Sequence, residues 1–138
     1  MIRALLDTNI VLDLMDSKRP CNPAASELVE AAEAGEARLC IAATSLKDAA
    51  YIANKFIDKG SVGAWLDFFL DSFEILGLDR EICLAARANG EPDFEDGVIR
   101  ATAEKNLVDV IVTRDKKAFV DSDIKKMKAD ELVEQLSE

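Results

Sequence analysis

The run Ile2-Arg3-Ala4-Leu5-Leu6 ends directly on an acid, and this junction constrains the fold more than any other stretch of the sequence. So short an apolar run, free of Gly and Pro, reads as a buried parallel strand, and Thr8 to Leu12 reads as the start of a helix just after Asp7. An acid at the carboxyl end of a central strand lies where open α/β sheets place their chemistry. Asp7 or Thr8 would serve equally well as a plain helix cap. Whether other carboxylates reach the same edge decides between the two.

The rest of the chain repeats the strand-to-helix pattern. After a helix from Asn9 to Met15, the segment Asp16 to Pro23 is a loop, with Asn22 as N-cap and Pro23 at the first position of a helix that Gly35 stops. Arg38 to Ala42 is a short buried strand. Thr44-Ser45-Leu46-Lys47-Asp48 then opens a helix ended by Gly60, with Ser45 and Asp48 spaced as a capping box. A helix over Val62–Ser72 and the residue beyond it set Trp65, Phe68, Phe69 and Phe73 at helical spacing, as core or as part of a dimer surface. Phe73 to Leu76 is a third strand and Arg80 to Ala88 a helix closed by Asn89-Gly90. Pro92-Asp93 opens another helix to Lys105. Val108 to Thr113, β-branched almost throughout, is the clearest strand and runs into Arg114-Asp115. A turn at Lys116–Phe119, a weak strand at Ile124–Met127 and a helix at Ala129–Leu136 complete the chain. The alternation predicts an α/β fold, a mostly parallel sheet covered on both faces by helices. With 138 residues, 49% of them hydrophobic, the chain reads as one domain over 1–138 with material for a substantial core.

Composition removes whole classes of chemistry. The sequence has no histidine, which excludes Ser-His-Asp and Cys-His nucleophilic catalysis, imidazole bases and the usual zinc enzymes. Cys21, Cys40 and Cys83 are scattered and form no C-x-x-C pair, so neither a disulfide framework nor a thiolate zinc site is expected. No signal-peptide pattern or membrane-length apolar run is present. These features predict a soluble, cytoplasmic protein with no membrane partner. The net charge of −10 disfavours nonspecific binding to nucleic acid, although acids gathered around a divalent cation would be partly neutralised.

The carboxyl ends of parallel strands and the N-termini of the following helices share one sheet edge. Asp7 follows the first strand, Asp48 falls in the first turn after the second, and Asp115 follows the fourth. Asp93 and Asp96 open the helix leading into that fourth strand and project on one side of its first turn. Carboxylates about 4 Å apart repel by about 4 kcal/mol at an effective dielectric near 20, so gathering four or five of them requires cations. Oxygen ligands without His or Cys select Mg²⁺ or Mn²⁺. Singly, each acid reads as a cap; together they point to a metal site. Thr8, Asn9 and Thr113 are caps or strand ends, or groups that orient carboxylates and water. Arg114, Lys116 and Lys117, with Lys18 and Arg19 as a second set, are candidate contacts to backbone phosphate or an ordinary solvated surface.

The chain resembles the PIN-domain ribonucleases, especially the toxin half of VapBC-type toxin–antitoxin pairs. The matching pieces, in the family's order, are Leu6-Asp7-Thr8-Asn9, the helix opening from Ser45 to Tyr51, Asp93-Phe94-Glu95-Asp96, and Val112-Thr113-Arg114-Asp115. The resemblance implies a three-layer α/β/α sandwich with a four- to five-stranded sheet, holding one or two Mg²⁺ or Mn²⁺ ions for RNA cleavage. It also implies a homodimer that a cognate antitoxin blocks. Asp7, Asp96 and Asp115 match its metal-ligating acids, Asp93 matches an acid often found before the third, and Thr8, Asn9 and Thr113 match polar companions. Asp48 stands where the family commonly has Glu, one methylene shorter, which suits binding through water. The expected mechanism is hydrolysis by metal-activated water, with Asp7, Asp48, Asp96 and Asp115 as the catalytic acids. Two alternatives stand beside it: a degenerate domain of the same fold that binds RNA or protein without cutting, and a small-molecule phosphohydrolase. The second usually needs an acid two residues after the first, where this chain has Asn9.

Overall fold

The computed structural model describes residues 1–138. Five parallel strands, β1 (Ile2–Leu6), β2 (Ala37–Ala42), β3 (Glu74–Leu76), β4 (Val110–Val112) and β5 (Lys125–Met127), form one sheet in the order β3-β2-β1-β4-β5. The fold is the α/β arrangement expected, with seven helices flanking the sheet. β1 is central, pairing Leu6 with Ile41 on one side and with Val112 on the other. The chain moves outward from β1 in one direction through β2 and β3, then returns to place β4 on its other side. The crevice between β1 and β4 is therefore the switch point where open sheets bind ligands.

Burial explains why the strands read as continuous apolar runs. Ala4, Leu5 and Leu6 are wholly buried, as are Ile111 and Val112, because helices cover both faces. Each fully buried Leu, Ile or Val contributes about 1.5–3 kcal/mol relative to exposure. Leu6, Ile41 and Val112 belong to a larger core shared with α1 (Thr8–Met15), α2 (Asn22–Glu33), α3 (Ala43–Ala53), α4 (Lys59–Ser72) and α7 (Ala129–Leu136). Leu5, Cys40 and Ile111 face a smaller core with Ile99 and Phe119. Phe69 and Phe73 of the aromatic stripe are buried, whereas Trp65 and Phe68 are half-buried at an apolar groove of about 470 Å³ that they share with Leu14 and Val29.

Local structure departs from the sequence reading at α2 and at both ends of α3, and β4 covers only Val110–Val112 of the expected Val108–Thr113 run. Cys21, not Asn22, is the N-cap of α2; Asn22 is helical and donates its side-chain amide to the Asp13 carbonyl at 2.8 Å. α3 begins at Ala43 behind the cap residue Ala42, with no side-chain cap, so Ser45 lies inside the helix and no Ser45–Asp48 capping box forms. α3 also ends at Ala53 rather than near Gly60, because Asp58 accepts from the Ser61 amide at 3.0 Å and starts α4 at Lys59.

α5 (Arg80–Ala88) and α6 (Phe94–Lys105) pack closely. Gly97 permits it, since a Cβ there would lie 2.7 Å from the Ala86 carbonyl oxygen. Asn89, at the end of α5, donates to the Gly97 carbonyl at 3.0 Å. These contacts fix the first turn of α6, which carries Asp96. No helix is long and apolar enough to cross a membrane.

Candidate functional site: an acidic pocket at the switch point

The site begins at the end of β1. The Asp7 amide donates to the Val112 carbonyl at 2.9 Å, which carries the β1–β4 pairing one residue past the strand. The buried Asp7 side chain caps α1, its Oδ1 accepting from the Thr8 amide at 2.8 Å. Its Oδ2 accepts from the Thr113 hydroxyl at 2.8 Å. Both readings of Asp7 therefore hold at once: it caps the helix and faces the switch point. Burial, the largest influence, raises its pKa against the pull of those two hydrogen bonds, and the charges of Asp115 and Asp93 raise it further.

Asp115 arrives from the loop after β4. Its amide donates to Thr113 Oγ1 at 3.0 Å, so one hydroxyl joins the two acids. Its Oδ1 accepts from the amides of Lys117 at 2.8 Å and Ala118 at 3.0 Å, which holds this carboxyl below its ordinary pKa. The Lys126 ammonium fixes the same turn from β5, donating to the carbonyls of Asp115 at 2.8 Å and Ala118 at 2.6 Å.

Asp93 caps α6, with Oδ1 accepting from the Asp96 amide at 2.8 Å. Asp96 follows one turn on. Desolvation, reinforced by the charges of Asp93, Asp7, Asp115 and Glu95, pushes its carboxyl up to about 7. Glu95 joins the same field, raised first by desolvation and then by Asp48, Asp93 and Asp7. Thr8 Oγ1 lies 2.8 Å from Ser45 Oγ and 3.4 Å from Glu95 Oε1, tying α1 to α3 and to the first turn of α6.

Asp7, Asp93, Glu95, Asp96 and Asp115, with Thr8 and Asn9, line one pocket of about 280 Å³. Asn9 turns its side-chain nitrogen to the site, donating to Asp7 Oδ2 at 3.5 Å, while its Oδ1 is buried without a hydrogen-bond partner. Five carboxylates lining one pocket, with no imidazole or thiol among them and an unpartnered amide oxygen on Asn9, are a donor set suited to a hard divalent cation. No three of the acids form a ready-made cage for a metal ion. Uncompensated like charges stand apart, and several of the oxygens already accept protein hydrogens, so a cation would have to draw the others inward.

Some predicted residues lie elsewhere. The Asp48 carboxylate pairs with Lys47 at 2.8 Å and does not line the pocket, although its charge reaches Glu95. The early start of α3 explains this: Asp48 falls in the second turn of the helix, and Ser45 takes the place nearest Thr8. Arg114 turns to Asp13, donating from Nε and Nη2 at 3.0 Å each, and Arg19 joins the same carboxylate at 2.8 Å. Lys116 is exposed. Glu95 enters the sequence reading only inside the Asp93-Phe94-Glu95-Asp96 motif, and its signal is adjacency to Asp96. Asp13, 1% exposed, carried no such signal.

The chain matches the family model described as a PIN domain over residues 3–117. No curated protein matches the sequence. VapBC2 from Rickettsia felis, bound to a DNA fragment from its promoter, aligns with TM-score 0.69 at 18% identity over 92% of this chain and 98% of that one. A toxin–antitoxin complex from Klebsiella pneumoniae aligns with TM-score 0.68 at 24% identity over 91% and 97%. VapC20 from Mycobacterium tuberculosis, a sarcin–ricin loop cleaving toxin, aligns with TM-score 0.67 at 12% identity over 81% and 89%.

Proposed function

The chain belongs to the PIN domain family, and on that premise we propose that it is a divalent-metal-dependent ribonuclease, the toxin of a toxin–antitoxin pair. The observation that carries the reading is the pocket at the β1–β4 switch point, which five carboxylates line in a chain without histidine.

Asp7, Asp96 and Asp115 would hold Mg²⁺ or Mn²⁺, with Asp93, Glu95 and Asn9 around them. Held there, such an ion would supply Lewis-acid chemistry, activating a water and offsetting charge on a phosphate. Thr113 fixes Asp7 and Asp115 against each other, and Thr8 holds the α1 side of the pocket against Ser45. Asp96, whose carboxyl is pushed up to about 7 by burial and the neighbouring acids, would have to be ionised to hold a cation, so binding there would be coupled to loss of its proton. Asp48, paired with Lys47 outside the pocket lining, would reach a bound ion only through water. Lys116 and Lys117, beside Asp115, are the available phosphate contacts, whereas Arg114 is committed to Asp13. A cognate antitoxin and a homodimer belong to the same proposal, supported by the toxin–antitoxin neighbours and by the half-exposed Trp65–Phe68 groove.

The test is incubation of the purified protein with a panel of structured and unstructured RNAs in Mg²⁺ or Mn²⁺, beside an Asp7→Asn control. Cleavage by the native protein, lost in the control and in chelator, is expected; cleavage that persists in the control defeats the assignment. The position of Asp48 favours one second reading, a degenerate domain that binds without cutting. It predicts RNA retention with no cleavage by either protein.

A further inference from the structure

Phe119 is one of two non-glycine residues with positive φ, at +68°. Such a conformation in a bulky residue persists only where its surroundings over-determine it. Here the ring is 1% exposed in the smaller core, and the amide donates to Glu91 Oε1 at 2.8 Å. The Glu91 side chain is itself 4% exposed, and its Oε2 accepts from Arg100 Nη1 at 3.1 Å. Arg100 lies in α6, one turn beyond Asp96. Its Nη1 also donates to the Asn89 carbonyl at 3.0 Å, its Nη2 to the Asp121 carbonyl at 3.3 Å, and its Nε to Glu104 Oε2 at 3.1 Å. Glu104 Oε2 in turn accepts from Ser122 Oγ at 2.8 Å.

This network joins two segments that the sheet does not pair. One, Asn89 to Asp93, leads into α6 and delivers Asp93 and Asp96. The other, Asp115 to Ser122, leaves β4 and delivers Asp115. A buried carboxylate with both oxygens committed is costly to keep unless its partners are held in place, and those partners are the backbone of one acid-bearing segment and the guanidinium of the other. We propose that Glu91 and Arg100 are positioning residues that set the spacing between Asp93 and Asp96 on one side of the pocket and Asp115 on the other. This rests on the reading that those acids hold a divalent cation.

The test compares Mn²⁺ affinity by calorimetry with amide hydrogen exchange at Phe119, in the native protein, Glu91→Ala, Glu91→Gln, Leu132→Ala and Asp7→Asn. Leu132, buried in α7 within the larger core, serves as a control for lost stability alone. Glu91→Ala is expected to lose Phe119 protection and to weaken Mn²⁺ binding about tenfold or more, the scale seen when groups behind metal ligands are removed. Glu91→Gln keeps an oxygen for the Phe119 amide but sets its NH2 against the Arg100 guanidinium, so it is expected to retain more Phe119 protection than Glu91→Ala and an Mn²⁺ affinity between that variant and the native protein. Leu132→Ala is expected to melt earlier with Mn²⁺ affinity unchanged. The proposal is overturned if Glu91→Ala binds Mn²⁺ as the native protein does, or if Leu132→Ala weakens binding equally. If Asp7→Asn leaves the native affinity unaltered, the metal reading itself fails. The positioning role of Glu91 is then judged on exchange alone, and unchanged Phe119 protection in Glu91→Ala overturns it.

Discussion

Thr113 Oγ1 donates to Asp7 Oδ2 at 2.8 Å while accepting the Asp115 amide at 3.0 Å. The two acids that flank the switch point are thus held together by a single hydroxyl 2% exposed to solvent. Thr113→Val keeps the shape and removes the hydroxyl, leaving the Asp115 amide unpaired and Asp7 without its strongest side-chain donor. Denaturant unfolding should show a loss of about 1–3 kcal/mol. Thr113→Ser should recover most of it, and equal losses in both variants would contradict this role.

Asp96 meets the strongest combined burial and like-charge repulsion of any acid in the pocket. Asp96→Asn removes one charge from that field without changing shape. In chelator the variant should melt above the native protein, while its cleavage of RNA should fall at least about 100-fold, as when one transition-state electrostatic partner is removed. Opposite movements of stability and activity separate a site acid from a structural one; a lower melting temperature in chelator would contradict the account.

The same field gives stability a specific pH dependence. A carboxyl raised from 3.8 to about 7 binds its proton more tightly in the folded state, so its contribution is most favourable below the unfolded pKa and is lost as pH climbs through the folded value. Asp7 and Glu95 add in the same direction, first through burial. Asp58, Glu74, Asp79 and Asp115 oppose it, but their lowered pKa values matter only on acidification below the ordinary carboxylate range. Melting temperature in chelator should therefore fall between about pH 5 and about pH 8, and saturating Mg²⁺ should flatten that fall by binding the ionised folded state. A melting temperature independent of pH in chelator would contradict the predicted shift.

Gly97→Ala tests how α6 is seated. Its Cβ would meet backbone, the Ala86 carbonyl oxygen at 2.7 Å, so the helices must part. Overpacking of this kind costs about 1–3 kcal/mol, and because Asp96 is the preceding residue, Mn²⁺ affinity should fall with stability. Retention of native stability would show that α5 and α6 have slack that the structure does not display.

Much of this architecture was legible in the sequence because its signals are local. Ile2–Leu6 is apolar without interruption because both faces of β1 are covered, and Asp7, Asp93 and Asp115 sit at strand or helix ends that caps and turns announce. What was not legible depends on contacts between distant segments. The Ser45-x-x-Asp48 spacing looked like a capping box, yet α3 starts one turn fraction earlier on an uncapped Ala42 because the chain enters it directly from buried β2. That shift moves Asp48 away from the pocket. Asp13 and Arg114 are separated by 101 residues and Glu91 and Phe119 by 28, so neither pairing leaves a periodic trace. A left-handed Phe is unreadable for the opposite reason, since turn chemistry leads one to expect Gly or Asn there.

The most direct test of the metal-dependent ribonuclease assignment is the initial rate of RNA cleavage measured against Mn²⁺ concentration, with bound Mn²⁺ counted by electron paramagnetic resonance in the same samples, for the native protein and Asp7→Asn. The rate should rise in step with saturable Mn²⁺ occupancy in the native protein, and both should be lost together in Asp7→Asn. Cleavage without bound Mn²⁺, or equal occupancy and rate in the two proteins, would contradict the assignment of the acidic pocket as the catalytic centre.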